Sequence, residues 1–224
     1  MRTRTRVWWT FYQQWHRMKK RLGLLPPATE RRLVIGVSMH RTGTRSLASY
    51  LRSLGHKDLH WPWWCEQQIS RHLDDHERIV KILEPLLYHY DCFLDVPFPG
   101  LYRELDRRFP NSRFILVRRD PKLWWRSVYR HWDLDAGPHR LDPFEELVYR
   151  RYDPTGMVRV TKDDAEVLMS KSLKHSEEVQ AFFDNRAGKL LVVDLENEDL
   201  NVRVSRFLGA DVQPYPHELS TDGF

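Results

Sequence analysis

Three features of this 224-residue sequence predict an α/β fold, a parallel β-sheet flanked by helices. Short apolar runs alternate with helical patterns along most of the chain, the order that builds a parallel sheet covered on both faces. One run, Leu33 to Val37, feeds a short polar turn with Gly43 and three hydroxyl residues, and a helical pattern follows at once. A second run, Phe114-Ile115-Leu116-Val117, leads into Arg118-Arg119-Asp120-Pro121 and another helical pattern.

The elements follow in order. Residues 4 to 22 read as an amphipathic helix, with Trp8, Phe11, Trp15, Met18 and Leu22 recurring at three and four residues and Arg4, Arg6, Arg17, Lys20 and Arg21 on the other face. Gly23 and Pro26-Pro27 end it. Strand Leu33–Val37 leads to helix Thr44–Leu54, closed by Gly55. Residues 63–90 read as one or two helices, with Pro85 a kink or break. Cys92-Phe93-Leu94 is a short buried strand, followed by helix Leu101–Phe109 and strand Arg113–Val117. Pro121 suits the first turn of a helix to Trp132, and 133–143 read as loop. Thr161 and Asp164 form a capping-box signal for a long helix to Phe183. Strand Leu190–Asp194 and helix Asn201–Leu208, closed by Gly209, complete the pattern. The chain thus divides into a basic helical arm (1–30), one α/β domain (31–214) and a C-terminal tail (215–224).

Composition narrows the function. The net charge is +5; the positive excess sits partly in the first thirty-two residues, and acids and bases elsewhere nearly balance, which argues against a nucleic-acid partner. Two cysteines, Cys65 and Cys92, are too few for a disulfide framework and fit a reducing compartment. No Cys/His spacing suggests a metal site. No apolar run reaches membrane-spanning length, and the N-terminus lacks the pattern of a signal peptide, so a cytoplasmic location is expected. The N-terminal helix either packs on the domain or on another subunit, or lies on a membrane surface, where tryptophan and basic residues suit an anionic interface.

The turn after the first strand reads Ser38-Met39-His40-Arg41-Thr42-Gly43-Thr44-Arg45-Ser46. Amide groups at a helix start, at the positive end of its dipole, can hold an anion. The Walker pattern of two glycines followed by Lys and Ser/Thr is not met: Ser38 replaces the first Gly, Thr44 the Lys and Arg45 the hydroxyl residue. The turn therefore suits a phosphate group, but not in the ATPase manner. At the second strand, Arg119 stands at the carboxyl end and Ser127 two turns into the next helix, where ligands of parallel sheets bind. A guanidinium and a hydroxyl there suit a second phosphate. Two anion sites on one sheet edge imply a ligand with phosphates at both ends.

These residues resemble those of a known family. Arg41-Thr42-Gly43-Thr44-Arg45-Ser46 looks like the 5′-phosphosulfate loop of the sulfotransferases that use 3′-phosphoadenosine 5′-phosphosulfate (PAPS). Arg119-Asp120-Pro121 with Ser127 is similar to their 3′-phosphate motif. The resemblance implies a P-loop NTPase-like sulfotransferase architecture and transfer of a sulfuryl group from PAPS to a hydroxyl, or an amine, of a small molecule, glycan or glycolipid. It implies that the loop binds the 5′-phosphate and that Arg41 neutralises the leaving group, while Arg119 and Ser127 hold the 3′-phosphate. It implies no metal. Arg45 departs from the small hydroxyl residue common in the family, and the family's Arg/Lys-Gly-rich C-terminal segment is absent.

Phe93-Leu94-Asp95-Val96-Pro97 carries Asp95 where cytosolic members often place a catalytic His, with Pro97 in the matching position. A carboxylate can accept the acceptor proton. Its unperturbed pKa of ~3.9 makes it a weak base, which a late proton transfer tolerates. The alternative for Asp95 is a helix cap near Leu101 or an Arg partner. His40 either touches the transferred group or is a turn residue. His60, Trp61, Trp63 and Trp64 line an acceptor pocket or pack as core and lid; His175 is structural or on the acceptor side. Two other functional classes fit the sequence: a small P-loop kinase-like phosphotransferase, disfavoured by the missing Gly-Lys pair, and a non-catalytic interaction protein on the same fold.

Overall fold

The computed structural model describes residues 2–152, 156–196 and 199–216, with side chains from Val7 onward. In chain order the elements are α1 (Arg2–Arg21), β1 (Val34–Gly36), α2 (Thr44–Ser53), β2 (Asp58–His60), α3 (Glu66–Ile69), α4 (His76–His89), β3 (Cys92–Leu94) and α5 (Tyr102–Arg108). They continue as β4 (Arg113–Arg118), α6 (Pro121–His131), β5 (His139–Arg140), α7 (Pro143–Tyr149), β6 (Arg159–Val160), α8 (Ala165–Phe183), β7 (Leu190–Asp194) and α9 (Leu200–Leu208).

The central sheet has five parallel strands in the order β2-β3-β1-β4-β7. Side chains alternate across a strand, so the inner strands β3, β1 and β4 feed two cores. Ile35, Phe114 and Leu116 point into the larger core, with Trp124 of α6 and Phe183 of α8. Val34, Ile115 and Val117 point into the smaller one, under α2 and α9, with Tyr50 and Val204. Both faces are buried, which is why these strands read as continuous apolar runs. The short hairpin of β5 and β6 stands apart from the sheet.

The elements expected from the sequence are present, with differences. β2 was not expected; its three residues offer one buried apolar side chain, Leu59. The segment read as loop over 133–143 contains β5 and ends at α7, whose start is fixed by a capping box between Asp142 and Glu145 with Pro143 in the first turn. Helix α4 runs through Pro85. The capping box of Thr161 and Asp164 opens a 3₁₀ turn, and α8 follows from it. Of the tail expected over 215–224, residues 217–224 lie outside the described residues; Tyr215 rests on Tyr50, ring centroids 5.2 Å apart.

Helix α1 packs on the domain through a face other than the one its periodicity picked out. Trp9 and His16 are buried, and the Trp9 indole donates to Gln68 Oε1 at 2.9 Å. Lys20 Nζ reaches both oxygens of Glu84 on α4, at 3.0 and 2.9 Å, and Arg108 joins the same carboxylate. Burial alone would raise the Glu84 pKa; nearby His16, 3.8 Å away, and the hydrogen bonds from Lys20 and Arg108 outweigh it and hold the group well below the usual carboxylate range. Trp8, Phe11, Trp15, Met18 and Leu22 remain exposed. Aromatic residues lie on both sides of α1, so spacing alone could not say which side meets the domain; the polar partners Gln68 and Glu84 select the Trp9 side.

Candidate active site

The loop between β1 and α2 is fixed from three neighbouring elements and by a bond of its own. Val117 N–H of β4 donates to Ser38 Oγ at 2.6 Å. His175 of α8 donates from Nε2 to the Val37 carbonyl at 2.7 Å, its Nδ1 taking the Tyr152 hydroxyl at 2.8 Å. The Trp124 indole of α6 donates to the His40 carbonyl at 2.8 Å, and Thr42 Oγ1 donates to the Met39 carbonyl at 2.7 Å. Thr42 is therefore buried, and its hydroxyl serves the turn itself. Buried His175 is neutral: burial lowers its pKa to about 4.

Two residues of this loop take left-handed backbone conformations, Arg41 at φ 64° and Gly43 at φ 77°. Only glycine adopts that conformation without cost. A Cβ on Gly43 would also stand 2.5 Å from Leu195 Cδ1. Gly43 precedes α2, whose first turn has no side-chain cap hydrogen bond among the described residues. The amides of that turn have no partners within the helix. By contrast, α6 is closed by Asp120, which accepts from Lys122 and Leu123 N–H, both at 3.0 Å.

Arg41 Nε donates to Ser127 Oγ at 3.1 Å, and Arg119 donates from Nη1 to the Arg41 carbonyl at 2.9 Å. The two groups that the sequence placed on separate strand–helix turns thus line one cleft, with a volume of about 910 Å³. Glu196 Oε1 stands 3.9 Å from Arg119 Nε, a buried atom with no hydrogen bond among the described residues. Burial and the neighbouring Arg119 lower the Arg41 pKa, a sign of like charges held close together. Arg45, Arg126 and Arg130 line the same cleft.

Across the cleft lie the carboxylates and imidazoles. Asp95, at the end of β3 and also left-handed (φ 68°), accepts from Val96 N–H at 2.8 Å. Its Oδ2 is 3.2 Å from His60 Nε2, which is also 3.2 Å from Thr44 Oγ1. The parallel register that pairs His60 with Leu94 brings this histidine beside Asp95. Asp95 therefore faces the cleft instead of capping the helix near Leu101. His40 lies deeper, 5% exposed, among the rings of Trp124, Trp132 and Tyr149. Neither of its ring nitrogens has a hydrogen-bond partner among the described residues, and burial lowers its pKa, so the imidazole is neutral. Asp142 and Glu145 close this end. Burial and then Glu145 push the Asp142 pKa up to about 6. Burial opposes ionisation of Glu145 too, but the hydrogen bond from His139 and its other partners keep its pKa below the usual value.

The cleft thus gathers His40, Arg41, Gly43, Thr44, Arg45, Ser46, Asp95, Arg119 and Ser127 from the sequence reading. Thr42 alone turns its side chain away. Of the aromatic group read after β2, Trp61 lines the cleft, while Trp63 and Trp64 pack edge to face beside α1. Arg126, Arg130, His131, Asp142 and Glu145 were not read from the sequence. Two signals were available: Arg126, Ser127, Arg130 and His131 recur at helical spacing, and Asp142-Pro143-Phe144-Glu145 is a helix-start pattern.

Fold and site together define a parallel α/β protein with a guanidinium-rich cleft at the carboxyl edge of its sheet. A family model described as "Sulfotransferase domain" matches residues 33–224, and the chain belongs to that family. Among solved structures, a sulfotransferase from Alicyclobacillus acidocaldarius is similar, with a TM-score of 0.52 and 14% identity over 86% of this chain and 87% of that one. The likeness is one of fold. No curated protein sequence matches the chain.

Proposed function

We propose that the chain transfers a sulfuryl group from PAPS to a hydroxyl of an acceptor bound at the Asp95 side of the cleft. The observation that carries this reading is the contact set of Arg41, Ser127 and Arg119, which opens into the same cleft as the Asp95–His60 pair. The residues fit the donor: a bisphosphorylated nucleotide needs cationic and N–H donors at both phosphates, and the cleft offers the α2 start with Arg41 and Arg45 and, beside them, Arg119, Arg126 and Arg130.

In this reading the acceptor oxygen bonds to sulfur as the bond from sulfur to the 5′-phosphate oxygen breaks. The negative charge released on that phosphate is met by Arg41 and the first-turn amides of α2, already in place and partly shielded from water. Asp95 takes the acceptor proton. His60, within 3.2 Å of Asp95 Oδ2, orients that carboxylate and shares the proton. Alignment of acceptor, sulfur and leaving oxygen supplies the remainder. A thermal-shift comparison tests the donor class: adenosine 3′,5′-bisphosphate is expected to raise the unfolding temperature, and ATP with Mg²⁺ is not. The reverse pattern would favour a phosphotransferase.

A further inference from the structure

Helix α1 has two apolar sides, and the fold uses one. Opposite the packed Trp9, Tyr12 and His16, the side chains of Val7, Trp8, Phe11, Trp15, Met18 and Leu22 are 40% exposed or more. At ~100° per residue they occupy an arc about 100° wide. Lys19 flanks the arc on one side, its ammonium 5.3 Å from the Trp15 ring centroid, and exposed Arg17 and Arg21 flank it on the other. The strip does not stop at the helix. Trp8 meets Trp64 edge to face, Trp64 meets Trp63, and Trp61 stands on the rim of the cleft.

We infer that this face of α1 docks on the surface of an anionic lipid bilayer. Charge selects the occupant. The first 30 residues contain seven Lys or Arg against one carboxylate, Glu30, while the remaining chain is close to neutral. A second copy of the chain would bring a like-charged helix against this one, whereas an anionic headgroup layer attracts every flanking cation and accepts the apolar arc below it. Tryptophan and long cationic side chains at the margin suit the boundary between water and acyl chains. Among the described residues no helix is long and apolar enough to cross a membrane, so α1 would lie in the surface plane.

Co-sedimentation of the full chain with vesicles tests this. The probes are vesicles of phosphatidylcholine alone and vesicles with about a third phosphatidylserine. The chain is expected to sediment with the second, and to be released by high salt. The double variant Phe11→Ser, Trp15→Ser changes only exposed side chains; it should keep the wild-type unfolding temperature and lose binding by about tenfold or more. Arg17→Glu with Arg21→Glu should weaken binding and reduce its salt dependence. Failure to sediment with phosphatidylserine vesicles, or equal binding to both kinds, would overturn the inference. So would a dimer in ultracentrifugation that requires Phe11 and Trp15 and forms without vesicle binding, since a second copy would then cover the face.

Discussion

Arg41 and Ser127, 86 residues apart, meet through a hydrogen bond of 3.1 Å from Nε to Oγ. The contact joins the loop after β1 to the helix after β4. The carbonyl of the same Arg41 is held by Arg119. Arg41 thus ties its own loop to the segment of Arg119 and Ser127, the two segments that the family resemblance would give to opposite phosphates of one nucleotide, and a change at either segment reaches it.

Ser127→Ala removes the partner of Arg41 Nε but leaves the charge. Bisphosphate affinity should fall only about 3- to 10-fold, the net worth of one ordinary hydrogen bond. Arg41→Ala removes charge met as the leaving group forms, and turnover of sulfur-labelled PAPS should fall about 100-fold or more. Calorimetry and transfer assays on the two variants separate these effects.

Asp95→Asn keeps the acceptor of the Val96 N–H and removes the base. Turnover should drop by about 10²- to 10⁴-fold while nucleotide affinity stays near that of wild type. His60→Ala, which leaves the carboxylate in place, should cost less and change the pH profile of kcat. A larger loss in His60→Ala than in Asp95→Asn would mean that the imidazole, not the carboxylate, takes the proton.

Gly43→Ala faces two penalties, a backbone at φ 77° and a Cβ placed 2.5 Å from Leu195. The expected cost is about 1–3 kcal/mol in urea unfolding. Adding Leu195→Ala should recover the steric part only, because the left-handed backbone remains.

His175 makes stability depend on pH. Its folded pKa of about 4 lies below the ordinary 6.5. Between those values the unfolded chain binds a proton that the folded chain refuses. The contribution is therefore intact above pH 6.5 and lost as pH falls toward 4, by up to about 3 kcal/mol. Urea midpoints at pH 7.5 and 5 measure it. His175→Leu strands the Val37 carbonyl and should lower stability at both pH values while flattening the difference.

Local signals carried most of the fold. β3 and β7 stand within the expected bounds because a short apolar run buried on both faces reads clearly. β2 is too short and too polar to announce itself; its existence depends on pairing with β3. The Arg41 loop, Arg119 and Ser127 were legible because each has a local strand–turn–helix context. The partnership of His60 with Asp95 was not, since it arises from sheet register across more than thirty residues. The side of α1 that packs was not legible, because periodicity reports that apolar residues share a face, not what covers it.

The account turns on one nucleotide lying across Arg41 and Arg119. Isothermal titration with adenosine 3′,5′-bisphosphate, on the wild-type chain and on Arg119→Ala, tests it most directly. The expected result is one site per chain in the wild type and a loss of affinity of about 30-fold or more in the variant, whose unfolding temperature stays close to that of wild type. Equal affinity in the two proteins, or no binding to a folded wild-type chain, would contradict it.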